Sequence, residues 1–190
     1  MAVTEGGRPL AAAVVEFAGG PGHWVERRYS AALGLGAAVD GVPLQPSAAT
    51  QLRRALLATG FGYDHGADWE ANMGLWRHFT DRCQGVRRLG AASVDLAHVG
   101  LGILDGYWEF QLKPWDMAAG ALLISEAGGI VTRGDGRPFS VFSRSIAVAA
   151  TPALHAALLD AVCPATLGLA AGPFPAMAED WFVPDGYRLE

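Results

Sequence analysis

Apolar runs and small turn residues alternate along most of the chain. Residues 10–18, LAAAVVEFA, follow the turn signal Gly6-Gly7-Arg8-Pro9 and predict a buried strand. Residues 23–30, HWVERRYS, predict a second strand with mixed faces. Residues 34–46 space their glycines and then present Asp40-Gly41, a dipeptide that closes tight hairpins. A strand is predicted over 54–61, ended by Gly60 and Gly62, and residues 64–70, DHGADWE, read as a polar loop. Over 71–83, Met73, Trp76, Phe79 and Thr80 recur at helical spacing. Residues 86–89 predict a short strand, 91–101 a helix behind Gly90, and 103–110 a strand with an irregularity at Asp105-Gly106. A helix over 117–127 starts at Asp116, a common N-cap, and stops at Gly128-Gly129. Strands at 129–132 and 145–150, a turn at 134–136 and a helix at 152–162 complete the pattern.

Interleaved strands and helices predict a layered sandwich of the α+β or α/β kind. At 190 residues the chain suits one domain, placed at 1–162. Residues 163–190 shift to Ala, Gly and Pro and end in Trp181-Phe182 and Tyr187, which predicts a C-terminal extension, a surface loop or mobile tail.

The chain is 51% hydrophobic and 17% charged, a balance that excludes a disordered protein. A net charge of -5 gives no basic footprint for nucleic acid. Lys113 is the only lysine; the other cations are arginines. Cys83 and Cys163 lie far apart and match no zinc spacing; free thiols in a reducing cytoplasm are the first expectation, one disulfide the alternative. The N-terminus shows no secretory pattern, and no apolar stretch is expected to span a bilayer.

Two helix starts carry candidate chemistry. One follows Arg87-Arg88-Leu89-Gly90-Ala91-Ala92, the other Trp115-Asp116. A helix N-terminus presents unpaired N–H groups and partial positive charge, which suits a phosphate. Small residues at 90–92 let a ligand approach the backbone. Glu109, at a strand end between these helices, can accept hydrogen bonds from a polyol. Asp116 can cap its helix, or supply an oxygen ligand to Mg2+. Other groupings weigh less. Asp64, His65, Asp68 and Glu70 read more readily as a solvated loop than as a metal site, and Asp95 and His98, at i and i+3, as a local pair. Trp69, Trp76, Trp108 and Trp115 read as packing residues. There is no G-x-S-x-G elbow, and Gly34-x-Gly36 lacks the third glycine of a dinucleotide fingerprint.

Two stretches, RRLGAASVDLAHVGLGILDGYWE (87–109) and LKPWDMAAGALLISEAGGIVT (112–132), resemble the C-terminal signature of the inositol monophosphatase family. Weaker likeness extends the resemblance to about residues 1–162. It implies alternating helix and sheet layers and a Mg2+-dependent phosphomonoesterase acting on a small phosphorylated polyol, often as a homodimer. By position, Asp116 matches the family's metal-binding aspartate and is the expected catalytic and metal residue. Glu109 matches the acid that contacts substrate hydroxyls, and Gly90, Ala91 and Ala92 match the small segment lining the substrate. The family commonly has a hydroxyl residue where Ala91 stands. Histidinol phosphate and other small phosphomonoesters remain open as substrates.

The family also carries an upstream Gly-Glu-Glu pattern and an Asp-Pro-hydrophobic-Asp-Gly-Thr segment, and neither occurs here. Against the family pattern the domain is therefore expected to be N-terminally incomplete, with impaired catalysis on its own and bare apolar faces. One carboxylate cannot hold two Mg2+ ions. A non-catalytic remnant that binds phosphate or serves as an interaction module is the alternative.

Overall fold

The computed structural model describes residues 1–63 and 65–171, with Ala171 described by its backbone alone. Its elements form two five-stranded sheets and four α-helices. The extension expected beyond Ala171 lies outside the described residues.

The first sheet is an antiparallel meander: β1 (Ala2–Glu5), β2 (Arg8–Gly20), β3 (His23–Ala32), β4 (Gly36–Val39) and β5 (Val42–Pro43). Asp40 and Gly41 both take positive φ, 49° and 81°, which supplies the tight turn between β4 and β5 that the sequence predicts. Along β2 the burial alternates. Ala12, Val14 and Glu16 face inward, as do Tyr29 and Ala31 of β3, whereas Val15, Phe17 and Trp24 are exposed on the other side. The run at 10–18 predicts a buried strand; among the described residues only one of its faces is covered.

The second sheet mixes directions in the order β7-β6-β8-β10-β9. Strand β6 (Leu56–Thr59) runs parallel to β7 (Gly85–Arg87) and β8 (Gly106–Phe110), while β10 (Ser145–Ala149) is antiparallel to β8 and β9 (Ile130–Thr132). Helices α2 (Ala92–Gly100) and α3 (Pro114–Glu126) lie between the sheets. Helices α1 (Ala67–Thr80) and α4 (Pro152–Ala171) cover the far face of the mixed sheet. The order is sheet, helix pair, sheet, helix pair, as a layered sandwich requires.

A core fills each of the three gaps. Ala12, Val14 and Tyr29 meet Leu122 and Leu123 of α3. Leu96, Val99, Met117 and Ile124 meet Tyr107, Ile146 and Val148. Leu75, Phe79, Leu154, Leu158 and Val162 meet Leu57, Trp108 and Ala149. A polar cluster also ties the first sheet to α2. Glu16 accepts from Tyr29 Oη at 2.7 Å and from Arg27 at 3.2 Å, and pairs with His98 Nε2 at 3.0 Å. The local Asp95–His98 pair expected from i, i+3 spacing therefore does not form; His98 turns to the sheet instead.

Several element ends differ from the pattern. Helix α1 starts at Ala67, taking up part of the predicted loop, because Asp68 and Glu70 in its first turn complement the helix dipole. The strand expected from 103 begins at Gly106, because the amides of Ile103 and Leu104 bond back to His98 O at 2.9 and 3.2 Å and finish α2. Helix α4 continues through Pro164 to Ala171, past its expected end at 162. By length and composition alone, Pro152–Ala170 is apolar enough to cross a membrane, contrary to the sequence expectation. Leu154, Leu158, Val162 and Leu169 bury one stripe of it against the mixed sheet.

Candidate active site

Strand parity decides which side chains reach the cleft. In β8, Trp108 and Phe110 enter the core beneath α1 and α4, while Tyr107 and Glu109 point toward α2 and α3. Parallel pairing sets Thr59 beside Trp108, so Gly60, the next residue, comes level with Glu109. Buried Asn72 of α1 fixes this edge: its amide donates to Gly60 O at 2.5 Å, and it accepts from Trp108 Nε1 at 2.6 Å. Thr59 Oγ1 donates to Trp108 O at 2.5 Å. At the opposite end of β8, Asp105 accepts from Ser47 Oγ and from the Leu56 amide, the latter at 2.6 Å, which is a structural role.

The strand ends and the N-termini of α2 and α3 enclose a cleft of about 720 Å³. Gly90, Ala91, Ala92, Glu109 and Asp116 all line it, so these five share one cleft. Gly90 has φ 93°, a left-handed conformation that lets the chain turn into α2. The first amides of α2 lack intrahelical acceptors by geometry. Gln111, with φ 62°, bends the chain from β8 toward α3, and its side chain accepts from Arg144 Nη2 at 2.5 Å. Arg88, Lys113 and Arg144 bring positive charge to the wall. Arg88 lies over the Phe61 ring at 5.6 Å, and Lys113 Nζ over the Trp115 ring at 5.5 Å.

Asp116 is not the N-cap. Pro114 fits the first helical position, where its missing N–H costs nothing, so the cap moves back to Lys113. Asp116 then sits two residues further in and accepts from the Lys113 amide at 2.9 Å, the back half of a capping box. It still faces the cleft. Trp115 is 73% exposed, so its predicted packing role is not met, whereas Trp108 is fully buried.

The acids share an unusual setting. Glu109 is buried, and its carboxyl accepts from Tyr107 Oη. Burial raises its pKa to about 7; the nearby Asp95 and Asp116 charges push the same way, against the Tyr107 hydrogen bond and Arg88. Asp95, one turn into α2, lines the cleft and is fully buried, with neither carboxyl oxygen hydrogen-bonded. Burial raises its pKa to about 6. Sequence reasoning took Asp95 only as a partner for His98 and Gly60 only as a strand end, and it did not single out Asn72. The spacing from Ala92 to Asp95 marks a shared helix face, but not which way that face points.

The described polar-loop acids do not gather. Asp68 lines the cleft, Glu70 is exposed, His65 stacks on Trp69 at 4.7 Å, and Asp64 lies outside the described residues. Among the described residues no three His, Cys, Asp or Glu side chains are grouped to hold a metal ion.

Fold and cleft together define a layered α/β protein in which two helix N-termini and buried acids face one concave site. The sequence pattern of the inositol monophosphatase family matches residues 1–167, and the chain belongs to that family. A chloroplastic phosphatase of Arabidopsis thaliana is 51% identical over 184 residues, covering 97% of this chain and 49% of the relative. An inositol-1-monophosphatase of Synechocystis is 44% identical over 113 residues, covering 60% of this chain and 39% of the relative. The inositol monophosphatase structure from Anabaena superposes with a TM-score of 0.71 at 37% identity, covering 83% of this chain and 60% of that one. The chain thus spans about half or less of the length of these curated relatives.

Proposed function

We propose that the cleft binds a small phosphorylated polyol and forms part of a phosphomonoesterase site. The observation that carries this reading is the meeting of the α2 and α3 N-termini with Glu109 and Asp116 in one cleft. The phosphate lies against the amides at Gly90, Ala91 and Ala92, with Arg88, Lys113 and Arg144 adding positive charge. Glu109, steadied by Tyr107, receives the polyol hydroxyls. With its pKa near 7 it can accept or donate a hydrogen bond at neutral pH. The relatives' names, a phosphatase and an inositol-1-monophosphatase, support this substrate class. Histidinol phosphate or another small phosphomonoester fits the same phosphate cradle.

Mg2+ is the cofactor implied by the family, and Asp116 is its ligand in this reading. The donor set does not fit a complete Mg2+ site: Asp116 is a single carboxylate, and its Oδ2 already accepts from Lys113. Mg2+ is held in practice by carboxylates together with phosphate oxygens and waters, so the remaining donors come from the phosphate, water or another polypeptide. This chain's own part is to hold the phosphate and orient the polyol.

Calorimetry with inorganic phosphate and inositol 1-phosphate, with and without Mg2+, tests binding; phosphate release from inositol 1-phosphate tests hydrolysis. Phosphate binding that needs Asp116 and Mg2+ supports the reading, and the absence of any binding refutes it. The lack of a grouped metal site among the described residues favours a second outcome, phosphate binding without turnover. A cytoplasmic location and a homodimer complete the proposal; the bare outer face of the antiparallel sheet supports the dimer.

A further inference from the structure

Asp95 does none of the usual work of a buried acid. It is fully buried, yet no cation, amide or hydroxyl of the described protein bonds either carboxyl oxygen. Its neighbour on the same helix, His98, is engaged with Glu16. Buried polar groups are ordinarily paired, so an orphaned carboxyl needs an explanation. A packing role gives none, because an apolar side chain of similar volume would fill the space without the desolvation penalty.

Its position supplies one. Asp95 lies one turn beyond Ala91 and Ala92 on the face of α2 that borders the cleft. It is close enough to Glu109 and Tyr107 for its charge to act on both. Glu109 already holds the Tyr107 hydroxyl, whereas Asp95 keeps all of its acceptor capacity. A ligand seated at the α2 N-terminus would present hydroxyls to two carboxyls at different depths. We propose that Asp95 is a second hydroxyl-binding residue of this cleft, accepting a hydrogen bond from a polyol hydroxyl below the one that meets Glu109. This rests on the phosphorylated-polyol reading above and adds the selectivity: a ligand with hydroxyls on neighbouring carbons is preferred over bare phosphate or a monoester with an apolar tail.

The test uses the full chain and two probes, inositol 1-phosphate and inorganic phosphate, titrated calorimetrically with Mg2+ present. Asp95→Leu removes both acceptors at similar volume, and Asp95→Asn keeps one. Asp95→Leu should weaken inositol 1-phosphate about tenfold, the worth of one hydrogen bond to a charged group, and leave inorganic phosphate unchanged. Asp95→Asn should fall between, and neither variant should lower the melting temperature. An unchanged ratio of the two affinities in the variants would overturn the role of Asp95 and leave the cleft reading intact. Equal loss of both probes with a lowered melting temperature would also overturn it, by making Asp95 structural. Wild-type chain that binds neither probe would remove the cleft reading and this proposal together. Should Asp95→Leu fail to fold, the affinity ratio in Asp95→Asn decides alone.

Discussion

The carboxyl of Glu109 occupies the space that a β-carbon on Gly60 would need. Parallel pairing of β6 with β8 brings the two residues level, and Asn72 holds Gly60 in place through its carbonyl. Gly60→Ala should therefore push the Glu109 carboxyl away from Tyr107 Oη. The stability cost should be about 1 kcal/mol, at the low end of overpacking, because the displaced group is the end of a flexible side chain. The affinity for inositol 1-phosphate should fall while that for inorganic phosphate holds. Urea unfolding and calorimetry check the two halves.

Glu109 and Asp95 make stability depend on pH in an unusual direction. Both have pKa values raised by burial, to about 7 and about 6, above their ordinary 4.5 and 3.8. Between these limits the folded state holds more protons than the unfolded state, so the contribution of these acids falls as pH rises from about 4 to about 7. Glu109→Gln and Asp95→Asn remove that loss. Their stability relative to wild type should grow across this range and reach on the order of 2 kcal/mol each near pH 7. Urea melts at several pH values would show the widening gap. A constant difference from pH 4 to pH 7 would refute it.

Much of this arrangement is legible in the sequence, for identifiable reasons. Asp40-Gly41 fixes a turn by local sterics alone, and the start at Asp116 with the stop at Gly128-Gly129 brackets a helix over the small apolar run between them. The cleft residues came into view through a long motif. What the sequence hid depends on contacts between distant elements. Strand parity sends Glu109 rather than Trp108 to the helix pair, and it is set by the register of β8 with β6 and β10. His98 chooses Glu16, 82 residues away, over Asp95, three residues away. Asp116 is displaced from the cap by Pro114, a local effect that the sequence did carry and that the N-cap preference of Asp obscured.

Asp116 has two separable duties. Its Oδ2 accepts from the Lys113 amide, and it faces the cleft. Asp116→Asn keeps an acceptor for the helix start and should cost less than about 0.5 kcal/mol, whereas Asp116→Ala should cost about 1 kcal/mol. Both should abolish any Mg2+-dependent gain in phosphate affinity, since a neutral amide is a poor ligand for a hard cation. Thermal melts and Mg2+ titrations of both variants separate the duties. Mg2+-dependent binding that survives in Asp116→Asn would show that the metal lies elsewhere.

The outer face of the antiparallel sheet should govern the solution state. Val3, Val15, Phe17 and Trp24 are 60%, 47%, 65% and 62% exposed, and nothing among the described residues covers them. Phe17 and Val15 alternate with the buried Val14 and Glu16, so they share one side of β2, and Gly19 pairs with Trp24 of β3 beside them. Large apolar side chains grouped on one water-facing sheet face mark a surface that associates. The charges on the same face, Arg28 and Glu26 of β3, pair with each other. The chain at micromolar concentration should therefore sediment as a dimer or larger species and bind a hydrophobic dye. Burying one aromatic side chain contributes about 1.5–3 kcal/mol, so Phe17→Lys or Trp24→Lys should weaken association tenfold or more. Because both side chains point away from the core, the melting temperature of the monomer should hardly move. Sedimentation velocity across a dilution series measures the shift. A wild-type chain that stays monomeric throughout would show that this face does not drive self-association.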